Sequence, residues 1–202
     1  MITDLPSSFK HTVISDGILS ACLDSPSKVA YKHGQNTRTY HELKQRMDSI
    51  SGIIHSFQIP SKCNIAIVAS NSINYMEIVL AASQLGHPIA TVNPKLTAND
   101  IVSICEDAKA KLVFVDQKVA SLLVGRNIRG VQEIIGIDNE METLIAQTEC
   151  PSQLPTIKEK ETFTIPYTSG TTGKPKGVLV PHRSRALTLY GMADAYGCFS
   201  SD

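Results

Sequence analysis

No charge of one sign dominates this sequence. Nineteen Lys and Arg side chains balance nineteen Asp and Glu among 202 residues. That balance gives no electrostatic case for nucleic acid or an anionic membrane as partner. Long apolar runs are missing too. The densest, Ile78 to Leu85, falls far short of the ~20 residues a membrane-spanning helix needs, so no transmembrane segment is expected. Met1 to Phe9 has no basic run followed by an apolar core, so no secretory signal is expected and the cytoplasm is the expected location. There is no CxxC pair. The five cysteines, Cys22, Cys63, Cys105, Cys150 and Cys198, are odd in number and scattered, which fits reduced, partly buried thiols better than a disulfide framework. The six histidines do not cluster with Cys, Asp or Glu at ligand spacing, so no metal site is expected. Internal repeats and low-complexity segments are absent.

What remains is ordinary globular composition, 42% hydrophobic and 19% charged, in a chain long enough for one large domain or two small ones. Strand and helix patterns alternate from about Val29 to Asp138. Ile65 to Ala69 is a short continuous apolar run, as in a strand buried on both faces. Ile89 to Val92, Leu112 to Val115 and Ile134 to Ile137 repeat it. Helical patterns lie between. Thr39-Tyr40-His41-Glu42 has capping-box form, and Tyr40, Leu43, Met47, Ile50, Ile54 and Phe57 follow as one apolar face. Asn74 to Leu85 is a second helix, stopped by Gly86 and Pro88. A third runs from Thr97 to Ala110, with Ile101, Ile104, Cys105 and Ala108 as its buried stripe. The pattern predicts an α/β fold: a mostly parallel sheet flanked by helices. Cys150 to Lys160, with Pro151 and Pro155 and no apolar period, reads as a connection. The expected organisation is an N-terminal α/β subdomain over residues 1–150, a linker over 151–160, and the start of a second α/β subdomain over 161–202.

The segment after the linker carries the chemistry. Thr162 to Tyr167 reads as a strand, Val178 to Val180 as a second, and Ser184 to Ala195 as a helix. Between the strands lies Thr168-Ser169-Gly170-Thr171-Thr172-Gly173-Lys174-Pro175-Lys176-Gly177. Gly170, Gly173 and Gly177 permit close backbone approach and positive φ, so successive N–H groups can form an anion-binding concavity. Four hydroxyls can donate to phosphate oxygens, and Lys174 and Lys176 add positive charge. The nucleotide loop GxxxxGK[ST] does not fit. Gly170 and Gly173 are three apart rather than five, and Pro175 stands where that loop has its metal-binding hydroxyl. By composition alone, a solvated hairpin turn is the competing reading.

The residue order decides between them. Tyr167 to Val178 resembles the signature of the adenylate-forming superfamily, which includes acyl-CoA synthetases, aryl-CoA ligases and peptide-synthetase adenylation domains. Thr39 to Leu43, Asn71-Ser72, the helix end from Ala81 to Pro88, and Val92-Asn93-Pro94 fall in that family's order and spacing, so the resemblance covers nearly the whole chain. It implies an ATP-dependent carboxylate–CoA ligase, which forms an acyl-adenylate and then a thioester, with ATP, Mg²⁺ and coenzyme A in use and a carboxylic acid as substrate. Thr168, Ser169, Gly170, Thr171, Thr172, Gly173, Lys174 and Lys176 would hold the ATP phosphates. Thr172 and Lys176 would act on the departing pyrophosphate. No metal-ligating residue is assigned. Ser184 stands where the family often has Asn. His182 is expected to pack or cap, Arg183 and Arg185 to be solvated, and Tyr167 to pack.

The resemblance also implies elements that this chain does not carry: an acyl-pocket segment with aromatic and His residues, an adenine loop with a Thr-Glu pair, a ribose-binding Asp, and a C-terminal subdomain with a catalytic lysine. The expectation is therefore the N-terminal portion of a ligase, inactive as these 202 residues alone. The alternative is a stand-alone, non-catalytic nucleotide-binding or interaction module.

Overall fold

A computed structural model describes residues 11–168 and 175–197. The chain opens with helix α1 (Ile14–Asp24) and an antiparallel hairpin, β1 (Val29–His33) and β2 (Asn36–Thr39). Strands and helices then alternate: α2 (Tyr40–Ser56), β3 (Ile65–Val68), α3 (Ile73–Gln84), β4 (Ile89–Val92), α4 (Ala98–Asp107), β5 (Leu112–Val115), α5 (Gln117–Leu123), β6 (Glu133–Gly136) and α6 (Asn139–Ile145). Last come β7 (Thr162–Thr168), two short strands β8 (Lys176–Gly177) and β9 (Val180–Pro181), and α7 (His182–Tyr196).

The main sheet has the order β6-β5-β3-β4-β7. All four of those pairings are parallel, and β8 and β9 run antiparallel along β7. The continuous apolar runs are explained by burial from both sides. Ile65, Ile67, Leu112 and Phe114 enter one core with Ile50, Ile53 and Ile54 of α2, Ile78 of α3 and Met141 of α6. Their strand neighbours Ala66, Val68, Val113 and Val115 enter another with Ile101, Ile104 and Cys105 of α4 and Val119 and Leu123 of α5. The period of two in a strand sorts alternate residues to opposite faces. Right-handed crossovers account for which helix lies where. The β3-to-β4 and β6-to-β7 connections run one way across the sheet, and α3 and α6 share a face. The β4-to-β5 and β5-to-β6 connections run the other way, and α4 and α5 share the opposite face.

The helix starts are set by side chains that satisfy otherwise unpaired N–H groups. The Glu42 amide donates to Thr39 Oγ1 at 3.2 Å while the Thr39 amide donates to Glu42 Oε2 at 2.7 Å, completing the capping box. Ser72 accepts from the Tyr75 amide and Thr97 from the Asp100 amide. Asp116 starts α5 by accepting from the Val119 amide, and its other carboxylate oxygen accepts from the Ser70 amide. It thereby ties the ends of β3 and β5 together.

Residues 151–160, expected as a linker, carry no helix or strand, but they and the residues before them lie against the helical layer. A Cβ on Gly52 of α2 would collide with the backbone oxygen of Glu149, and one on Gly86, at φ +72°, would come within 2.8 Å of Ile157. The strand after the linker, expected to open a second subdomain, is laid beside β4, with Ile89 opposite Thr164 and Ala90 opposite Ile165.

A buried carboxylate joins the elements of the α2/α3 face. Glu77 is fully buried. It accepts from Tyr31 Oη at 2.8 Å, Arg46 Nε at 2.7 Å and Arg38 Nε at 3.3 Å. Arg46 turns its two other nitrogens to Glu142 of α6, both at 2.7 Å. Among the described residues, no helix is long and apolar enough to cross a membrane. The four cysteines described are free thiols, Cys22 and Cys105 buried and Cys63 and Cys150 partly so. Burial pushes the Cys105 thiol up to about 12.

Candidate functional site

In a parallel sheet all the strands end at one edge. Ligands bind there in open α/β folds, because the loops that leave the strand ends are free to vary over a rigid base. The glycine- and threonine-rich loop leaves β7 at this edge. Ser169, Gly170, Thr171, Thr172, Gly173 and Lys174 lie outside the described residues. The two ends of the loop are described. Thr168 pairs with Lys176 and Tyr167 with Gly177 in an antiparallel register. Directly opposed residues of such a pair put their side chains on one face of the ribbon, ~5 Å apart at Cβ. A hydroxyl and an ammonium therefore stand side by side at the mouth of the loop, both exposed. They can meet two oxygens of one phosphoryl group.

This hairpin base is held by packing. Gly177 lies so close to β7 that a Cβ there would be 2.9 Å from Ile165 and 3.0 Å from the ring of Tyr167. Glycine is required because no side chain fits between them. Tyr167 packs against the α4/α5 core and donates from its hydroxyl to Asp107 at the end of α4, at 2.7 Å. Burial and then that hydrogen bond raise its ionisation well above the usual phenol range. Tyr167 is thus a strut, as expected of a packing residue. Asp107, its anchor, has no sequence signal, because the two residues meet only through the sheet's strand order.

The second strand differs from expectation. Val178 to Val180 was expected to be continuous, whereas the ladder is split into β8 and β9. Val178 donates to the Pro166 carbonyl at 3.0 Å, but Pro166 has no N–H to return the bond. The register is the same on both sides of this gap, Tyr167 opposite Gly177 and Thr164 opposite Val180, and shifts only beyond it, between Thr162 and Thr164. Val178 and Leu179 are left exposed in the gap.

His182, at the start of α7, is buried. It accepts from the Ile14 amide through Nδ1 at 3.2 Å and lies against Phe163, ring centres 5.2 Å apart. Burial lowers its pKa, opposed by the nearby Glu161 and Asp16, so it is a neutral packing residue. Arg183, expected to be solvated, is held by both oxygens of Glu159 at 2.9 and 3.0 Å. No group of three or more His, Cys, Asp or Glu suited to a metal occurs among the described residues. The donors at the hairpin mouth suit phosphate oxygens.

Comparison with known proteins fixes the family. The pattern of AMP-binding enzymes matches residues 20–202. The chain belongs to this family. It is 29% identical over 171 residues to a medium-chain-fatty-acid–CoA ligase of Ectopseudomonas oleovorans, covering 76% of this chain and 31% of that one. It is 28% identical over 182 residues to a 2-succinylbenzoate–CoA ligase of Geobacillus kaustophilus, covering 88% and 35%. The N-terminal domain of FACL13 from Mycobacterium tuberculosis has the same fold, with a TM-score of 0.76 at 22% identity, covering 84% of this chain and 44% of that one. The chain thus spans about a third of the length of the curated ligases just named.

Proposed function

We propose that this chain supplies the phosphate-gripping part of an ATP-dependent carboxylate–CoA ligase. The observation that carries the reading is the register of β7 and β8. It puts Thr168 and Lys176 side by side at the mouth of a loop rich in glycine and threonine, at the sheet edge where α/β folds bind ligands. In the reaction proposed, a carboxylate attacks the α-phosphorus of ATP, the bond to pyrophosphate breaks, and the acyl-adenylate then passes its acyl group to the thiol of coenzyme A. Negative charge grows on the β- and γ-phosphates as that bond breaks. Donors fixed in place beforehand stabilise it without having to reorganise. Lys176 and Thr168 fill this role together with Ser169, Gly170, Thr171, Thr172, Gly173 and Lys174, and Thr172 and Lys176 act chiefly on the leaving group. Mg²⁺ would share the phosphate charge, but the described residues offer it no ligand set, and no step here depends on one. Asp107 and Tyr167 hold the β7 end of the loop still.

The 202 residues are proposed to be inactive alone, because the hairpin mouth offers donors for phosphate and, among the described residues, none placed for the acid or the thiol. The test is ATP–pyrophosphate exchange over a panel of carboxylates. It is run on this chain and on a longer polypeptide of its relatives' length that carries these residues. Exchange by the longer protein, abolished by Lys176→Ala, supports the reading. Exchange that ignores Lys176 refutes it. Robust exchange by the 202-residue chain refutes its inactivity alone. A chain that binds ATP or pyrophosphate in a Lys176-dependent way, with no exchange in the longer protein, is the outcome expected of a non-catalytic nucleotide-binding module.

A further inference from the structure

Beneath the β1–β2 hairpin lies a cavity that the phosphate site does not use. Its volume is about 420 Å³, inside the ~300–1,000 Å³ range of small-molecule sites. Ile18, Ala30, Leu43, Ile73 and Leu80 give it aliphatic wall, Tyr40 and Tyr75 add rings, and the exposed Asn71 stands at its edge; Leu43 and Leu80 are buried. The ring of Tyr31 also faces it, but the hydroxyl is spent on Glu77 at 2.8 Å. Glu77 does not line the cavity. Ser72 is likewise spent as the cap of α3. The interior therefore offers apolar surface and few free hydrogen-bonding groups. Met76, 49% exposed, stands at the opening.

The rim is different in kind. Lys32 and His33, at the end of β1, border the cavity and are exposed. Their backbones pair within the hairpin, but among the described residues neither side chain makes a hydrogen bond or ion pair, although Arg38, Arg46 and Lys44 nearby are all engaged with carboxylates. An apolar hole with an unpaired cation at its mouth has the complementarity of one ligand class. We propose that this cavity binds a single-chain amphiphile with an anionic carboxylate head, its hydrocarbon tail among Ile18, Leu43 and Leu80 and its head at Lys32. The site is separate from the phosphate hairpin and does not depend on the function proposed above. It is built from α1, β1, α2, α3 and the turn that leads into α3.

The test titrates the 202-residue chain with decanoate below its micelle concentration, following calorimetric heat and displacement of a fluorescent fatty-acid probe. Decanol and decyltrimethylammonium serve as the neutral and cationic comparisons. Saturable one-to-one binding in the order decanoate, decanol, decyltrimethylammonium is expected. Ala30→Leu, which fills the cavity, should abolish binding of all three. Should that variant fail to fold, Lys32→Glu decides, since it alters only an exposed side chain. It should weaken decanoate about fivefold, the upper end for an exposed ion pair, and leave decanol unchanged. The proposal is overturned if decanoate does not saturate. It is equally overturned if the three ligands bind alike, or if Lys32→Glu leaves the decanoate affinity unchanged.

Discussion

The β3–β6 half of the sheet and the β7–α7 segment are built on different terms. In the first, β3, β4 and β5 are covered on both faces, and Ile65, Ile67, Leu112 and Phe114 are completely buried. In the second, the seven-residue β7 is partnered on its far side only by the two-residue strands β8 and β9, and Val178, Leu179, Leu187, Leu189, Met192 and Tyr196 stand in solvent. The first half is specified by packing and tolerates little change of volume. The second is specified by a few special residues, Gly177 and Pro166 among them, whose backbone properties matter more than their contacts. A scaffold that carries a reactive loop divides its work in this way.

The largest test of that contrast is Phe114→Ala. It should destabilise the chain by about 3–5 kcal/mol through lost burial and a residual cavity, read by denaturant unfolding. A loss below 1 kcal/mol would break the claim that this half is close-packed. In an active, longer protein, Lys176→Ala should lower kcat by ~10²–10³ with a smaller change in ATP KM, while thermal stability stays within ~0.5 kcal/mol. Activity and stability thus separate at the hairpin and coincide in the core. Gly177→Ala should cost about 1–3 kcal/mol by overpacking against Ile165 and Tyr167, despite the exposure of that residue. A neutral result would show that β8 can shift freely.

A smaller effect is expected on pH. Hydrogen bonds from Arg46 hold the Glu142 carboxyl below its ordinary value. A depressed pKa means that the folded state favours the charged form. The stability from this pair is therefore present above the unfolded value of about 4.3 and is lost as pH falls through the lower folded value. Glu142→Gln should reduce stability at neutral pH and flatten that acid limb. The smallest effect is expected from Leu189→Ser and Met192→Ser on α7, each within ~0.5 kcal/mol, because neither side chain is buried in this chain.

The sequence was most readable where the physics is most local. Continuous apolar runs marked β3 to β6, since strands buried on both faces need apolar residues at every position. Thr39 and Glu42 marked the start of α2 because a capping box is contained in four residues. The helices α5 and α6 escaped notice, being seven residues each, too short to show a period. The break between β8 and β9 was also missed, although its cause, Pro166, sits in plain view. Its consequence depends on which residue lies opposite. The family was legible by residue order, and Gly177 by type. The strut from Tyr167 to Asp107 was not, for it joins residues 60 apart that only the strand order brings together. Glu77 was hidden for the same reason, because its partners come from β1, β2 and α2.

The place of β7 also bears on how the chain acquires its structure. Its partner in the sheet is β4, yet α4, β5, α5, β6 and α6 are all made between the two. Closing so long a loop costs entropy that only the finished pairing returns, so distant parallel pairings form slowly. On a growing chain β3 to β6 can assemble while β7 is still unmade, leaving the outer edge of β4 open until the β7–β8 hairpin arrives. The strand that carries the proposed phosphate loop is then the last of the parallel strands to join the sheet, and its arrival closes the edge most exposed to wrong pairing.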